Sequence, residues 1–247
     1  MALLHSFEKS GNIFFRYRGQ FPVILFLLAI PVIYFTNYSW MSEITELALT
    51  YISVILSFFG FWIRAVSIGT TPKGTSGRNT KSQVAESLNR TGIYSMVRHP
   101  LYLGNSLMWI GIVVFTFNLY FVLLVILAFW LYYERIMFAE ERFLERKFGE
   151  DYLDWSKKVP AFIPCYRKFI KGEIPFSSKT VFRREYSGVL ATVFGFAFID
   201  HLRFYFINGY FEIYRLSTYV LIAAMVLALI LRTLKHHTRL LNEEDRS

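Results

Sequence analysis

The sequence predicts an all-α fold: a polytopic transmembrane helix bundle of about six spans. Three observations predict it. Hydrophobic residues make up 54% of the 247 and charged residues 18%, against about 45–50% and about 25% in soluble domains. The apolar residues come in continuous runs long enough to cross a bilayer. The charged residues are gathered into blocks between those runs.

The runs are Phe21–Tyr38, Ile44–Gly69, Leu101–Phe117, Leu119–Phe138, Gly188–Ile207 and Ile213–Leu231. Each approaches the roughly 20 residues that a helix needs for about 30 Å of hydrocarbon. They are continuous rather than alternating, which argues against a membrane β-barrel. The first is interrupted by Pro22 and Pro31, and the third is short.

Charge predicts orientation. Lys9, Arg16 and Arg18 precede the first run. Lys73, Arg78, Lys81, Arg90 and Arg98 lie between the second and third. Residues 139–187 hold the largest basic block, and the tail has Lys235 and Arg239. The connections 39–43 and 208–212 and the one near Asn118 have no Lys or Arg. Alternation of this kind places the basic segments and both termini in the cytoplasm. The net charge of +9 therefore points to anionic headgroups rather than nucleic acid. No cleavable signal peptide is expected in the polar, basic first 20 residues. Cys165 is the only cysteine, which excludes an intramolecular disulfide and a thiolate metal cluster; no metal site is expected.

Two cytoplasmic segments carry chemistry. Arg90–Gly104 runs into the third span. Pro100 suits the first turn of that helix, where its missing N–H costs nothing. Arg98 and His99 then stand at the helix entrance, a site suited to a carboxylate or phosphate. Gly104 lets a ligand or a neighbouring helix approach the backbone. The second segment, Tyr132–Gly149, continues the fourth span outward and carries Glu134, Glu140, Glu141 and Glu145, with Gly149 as a helix stop. After it, Tyr152, Trp155 and Val159 fall at helical spacing; this amphipathic stretch should lie in the interface or fold back over the site.

The competing readings are structural. Arg98 and His99 suit lipid phosphates, Glu140 and Glu141 suit surface pairing with Arg135 and Lys147, and Arg64 suits a snorkelling helix end. Asp200, His201 and Arg203 are costly in lipid unless paired or near an interface, and read as a structural cluster.

The segments resemble the superfamily of isoprenylcysteine carboxyl methyltransferases and phospholipid methyltransferases. Its Gly-x-Tyr-x-x-x-Arg-His-Pro-x-Tyr-x-Gly block reads here Gly92 to Gly104, with Tyr94, Arg98, His99, Pro100 and Tyr102 in place. A Glu-Glu-x-x-Leu block follows as Glu140, Glu141 and Leu144, then Phe148, Gly149, Tyr152, Val159, Pro160, Ile163 and Pro164. Arg64 before Ile68-Gly69 matches the family's arginine on the preceding helix.

The resemblance covers about residues 55–165 and implies S-adenosylmethionine in a cytoplasmic cofactor pocket. Arg98, His99, Pro100, Tyr102 and Gly104 would hold it, with Tyr94 and Tyr133 stacking and Glu140 or Glu141 taking its ammonium or ribose. Arg64 would hold an anionic acceptor; for an amine acceptor, Glu141 would serve as base. The acceptor is a membrane lipid or a lipidated substrate: a headgroup phosphate or amine, or a prenylcysteine carboxylate. Residues 1–43 would form an N-terminal cytoplasmic segment and first span, 44–165 the methyltransferase-like core, and 166–247 an extension with two spans. A bacterial inner membrane is the expected location. The alternatives are an NADPH-dependent sterol-type reductase, which Asn105 after Gly104 disfavours, and a non-catalytic lipid-binding or scaffold protein.

Overall fold

A computed structural model describes residues 2–72, 74, 83–243 and 246. Lys73, Arg78 and Lys81 of the second basic block lie outside the described residues. The helices are α1 Ala2–Arg16, α2 Phe21–Phe35, α3 Glu43–Gly69, α4 Pro100–Val114, α5 Leu119–Phe148, α6 Glu150–Ser156, α7 Ser178–Asn208 and α8 Leu216–His237.

The chain is a helix bundle. By length and composition α3, α5, α7 and α8 can each cross a membrane, whereas α2 and α4 are shorter apolar helices. At 15 residues each, α2 and α4 span about 22 Å at 1.5 Å per residue. The predicted first and third spans are thus truncated. The chain leaves helix at Thr36, where ψ is 122°, and after Val114, three residues before Phe117 turns to φ 59°. The fifth and sixth runs extend further as helix than their hydropathy indicated.

Side-chain caps set three helix starts. Ser42 accepts from the Thr45 amide at 3.2 Å, Asn118 from Phe121 at 2.9 Å and Ser177 from Thr180 at 3.0 Å. Gly209 closes α7 at φ 77°, a left-handed cap that glycine adopts without strain.

The six longer apolar helices run up and down in alternation. At one end Tyr38 and Asn118 bond Thr116 and Thr36, and Arg203 pairs with Glu46 at 2.6 Å. At the other end lie the α3 terminus, the α4 entrance, the outer turns of α5 and the start of α7. There α1 packs along α5, with Gly11 against the backbone of Arg135. Arg246 also reaches the carbonyl of Gly69 there. Both ends of the described chain and its basic segments therefore share one end of the bundle.

Close packing of α3 on α4 positions the site. A Cβ at Gly104 would meet Gly60 O at 2.7 Å, and one at Gly111 would meet Ser57 Oγ at 2.2 Å. Small residues let the two backbones approach, as helices in lipid require.

Candidate functional site

The α4 entrance and the outer part of α5 meet. His99 Nε2 lies 2.9 Å from Glu141 Oε1, and His99 Nδ1 faces Glu140 Oε2 at 3.6 Å. Arg98 holds the same carboxylate, with Nε 3.0 Å and Nη2 2.9 Å from Glu141 Oε1. Arg98 Nη1 also donates to the carbonyls of Ser156 and Val159 at 2.6 and 3.0 Å. Glu141 thus pairs across the site and not with the surface cations of its own helix.

Burial acts to lower the pKa of His99, but hydrogen bonds and charge from Glu140 and Glu141 outweigh it and hold the imidazole above its usual value. A carboxylate beside each ring nitrogen favours the imidazolium, which donates from Nε2 to Glu141 and faces Glu140 with Nδ1. Tyr94 is pushed up to about 12, by burial first and then by the Glu140 charge, and stays a protonated phenol.

The amphipathic stretch after α5 folds back over this arrangement. Tyr152, Trp155 and Val159 form a buried cluster against Leu88 and Tyr94. Beyond α6 the chain runs beside the Arg98–His99 segment: Arg98 N donates to Pro160 O at 2.9 Å and His99 N to Ala161 O at 3.1 Å. The amides of Arg98 and His99 are already bonded, so an anion at this entrance meets side chains and not those two N–H groups.

A cavity of about 330 Å³ lies under the fold-back, near the lower limit of small-molecule sites. Arg64, Tyr94, Arg98, His99, Pro100, Tyr102 and Glu140 line it. Three predicted residues stand behind its wall. Glu141 anchors Arg98 and His99. The Tyr133 ring lies tilted against Tyr102 at 5.4 Å between ring centroids, and Tyr102 stacks on His99 at 5.8 Å. Gly104 serves contact between α3 and α4, since a Cβ there would meet Arg64 Cγ at 2.6 Å.

Arg64 reaches the cavity but is engaged. Its Nε and Nη2 bond both oxygens of Glu185 at 2.7 and 2.8 Å, and Nη1 bonds Asn105 Oδ1 at 2.9 Å. Arg18, Asn105, Arg184 and Glu185 also line the cavity and were not anticipated. Asn105 follows the motif by one residue. The other three come from segments distant in sequence, with no motif to mark them. Among the described residues, two buried donors of this wall have no hydrogen-bond partner, Tyr152 Oη and Trp155 Nε1. Buried polar atoms rarely lack partners, and these suit a polar ligand such as S-adenosylmethionine, as do the Arg98–His99 cations, the Glu140 carboxylate and the tyrosines.

Asp200, His201 and Arg203 lie toward the opposite end of α7, each with a partner. Asp200 holds Arg215 at 2.7 Å and Ser217 at 2.6 Å, His201 meets Thr218 at 2.8 Å, and Arg203 pairs with Glu46. This is the structural cluster that the sequence suggests.

A family model described as phospholipid methyltransferase matches residues 48–151. A protein-S-isoprenylcysteine O-methyltransferase of Xenopus laevis is 34% identical over 139 residues, 56% of this chain and 46% of that protein. The nickel-cobalt-cadmium resistance protein NccN of Alcaligenes xylosoxydans xylosoxydans is 36% identical over 89 residues, 36% of this chain and 39% of that protein. The cobalt-zinc-cadmium resistance protein CzcN of Cupriavidus metallidurans is 31% identical over 115 residues, 47% of this chain and 52% of that protein. The chain spans about half the length of the curated relatives it matches. No solved structure matches it. The matched segment contains the α4 entrance and the paired glutamates of α5, and over it the chain is similar to phospholipid and isoprenylcysteine methyltransferases.

Proposed function

We propose that this chain transfers a methyl group from S-adenosylmethionine to a membrane lipid or lipidated acceptor. The observation that carries the reading is the convergence of Arg98, His99 and Glu140 on one cavity, with Glu141 locking the first two in place. A basic edge, an acid and tyrosine rings fit the carboxylate, ammonium and adenine of that molecule. Cation–π contact between a tyrosine and the sulfonium contributes about 0.5–2 kcal/mol. The relatives named protein-S-isoprenylcysteine O-methyltransferase support the same reaction class.

When bound, the sulfonium supplies an activated methyl, so catalysis consists mainly of positioning and water exclusion. Arg98 and His99 hold the carboxylate end, Glu140 the ammonium or ribose, and the α6 fold-back covers the cavity. Glu141 keeps the cations in place through its Oε1, which meets both Arg98 and His99. The cavity and the basic segments share one end of the bundle, which supports a cytoplasmic site with cytoplasmic termini.

Transfer of labelled methyl in native membranes, followed by lipid separation, tests the reading. Label in a lipid or lipidated species is expected. Absence of label, with calorimetric binding of NADPH and not of S-adenosylmethionine, would establish the reductase instead.

A further inference from the structure

The C-terminal helices lie outside the family match, yet they build a second cavity. A groove of about 740 Å³ lies between α7 and α8 on one side and α3 on the other. On α3 it runs from Glu46 to Phe61, about 22 Å of helix at 1.5 Å per residue and much of the roughly 30 Å of hydrocarbon in a bilayer.

Its charged residues stand only at its ends. Glu46, Asp200, Arg203 and Arg215 are at one end, paired with each other, and Glu185 is at the other. Between them the hydroxyls of Thr50, Ser57 and Thr192 each donate to a backbone carbonyl. What remains is apolar wall, which suits a hydrocarbon chain.

Glu185 belongs to both cavities. Its side chain is 3% exposed, and among the described residues Arg64 is its hydrogen-bond donor, one bond to each oxygen. A carboxylate has about four acceptor positions, so among the described residues roughly half of those on Glu185 are unused. Arg64 gives three of its five N–H donors to Glu185 and Asn105 and a fourth to the Leu101 carbonyl. An anionic acceptor that took over this guanidinium would leave the buried Glu185 carboxylate unpaired, which is strongly unfavourable. An amine instead donates to the unused positions and leaves the ion pair intact.

We propose that the C-terminal helix pair is the acceptor site: the groove takes one hydrocarbon chain of a lipid, and Glu185 receives that lipid's amine. The proposal rests on the methyltransferase reading above. In the step, the lipid ammonium first gives a proton to water; the neutral amine nitrogen then bonds to the methyl carbon while the carbon–sulfur bond breaks and its electron pair stays on sulfur. Positive charge passes from sulfur to nitrogen, where the Glu185 carboxylate stabilises it. The N-methylammonium afterwards loses a proton to water.

The test uses the full chain in lipid nanodiscs with labelled S-adenosylmethionine. Three acceptors are supplied separately: a diacyl lipid with a primary amine headgroup, a diacyl lipid with a phosphate monoester headgroup, and a farnesylcysteine. Label in the amine lipid is expected. Label only in the phosphate or the carboxylate would overturn the proposal and leave the methyltransferase reading standing. No label in any acceptor and no cofactor binding would overturn both.

Variants and a cofactor-free readout sharpen it. Glu185→Gln should lower amine-lipid turnover at least 100-fold and Glu185→Asp, which keeps a carboxylate, should lower it much less; equal losses in the two would overturn the role of the charge. Ala224→Trp narrows the groove from α8, where it leaves the ion pair untouched. It should raise KM at least tenfold for a long-chain amine lipid and leave a short-chain amine analogue unaffected; equal effects on both would sink the groove. An amine lipid with a photoreactive group in its chain should crosslink α8 without cofactor, and crosslinks confined to other helices would reject the placement.

Discussion

Glu141 Oε1 lies within 3.0 Å of both His99 Nε2 and Arg98 Nε, so one oxygen ties two cations of the α4 entrance to α5. Arg98 and Glu141 are each less than a third exposed. Glu141→Gln should cost on the order of 3 kcal/mol through the charges left without a partner. It should abolish detectable binding of S-adenosylmethionine. Thermal unfolding in detergent and calorimetric titration measure the two effects; unchanged binding would remove Glu141 from the support of the site.

His99 predicts a pH dependence. Its pKa is raised in the folded state because Glu140 and Glu141 outweigh the opposing effect of burial. The stabilisation is therefore fully present below the unfolded value of about 6.5 and is lost as pH rises through the higher folded value. Tm should fall on the alkaline side of neutrality for the native chain and much less for His99→Gln. Parallel pH profiles for the two proteins would contradict the charged imidazole.

The α6 fold-back covers the cavity through Trp155, and the chain beyond it bonds the amides of Arg98 and His99. Trp155→Ala removes a large buried side chain, a change that typically costs about 3–5 kcal/mol. The cofactor Kd should rise at least tenfold. Hydrogen exchange at Arg98 and His99 should accelerate while the core of α3 stays protected. Protection unchanged at those two amides would show that the fold-back is anchored without Trp155.

Gly104→Ala places a methyl within 2.7 Å of Gly60 O. Overpacking of this kind costs about 1–3 kcal/mol and should appear as a lower Tm. Cofactor affinity measured well below Tm should change less than threefold, because Gly104 sits at the α3–α4 contact. A large loss of affinity without loss of stability would restore Gly104 to the cofactor wall.

Local sequence carried a good deal of this. Helical spans, basic loops and the amphipathic face of Tyr152, Trp155 and Val159 follow from hydropathy, charge and period, which are properties of neighbouring residues. The pairing of the Arg98–His99 segment with Glu140 and Glu141 was legible through the family motif. What the chain order could not convey was the partner of each buried charge. Arg64 and Glu185 are 121 residues apart, and only the packing of α7 on α3 brings them into a bidentate pair. That pair occupies the guanidinium expected to hold an anion. In the same way Pro160 and Ala161 take the amides of Arg98 and His99 because a loop folds back. Burial forces charges and amides to find partners wherever the fold supplies them, so three-dimensional packing settled which groups remained open to a ligand.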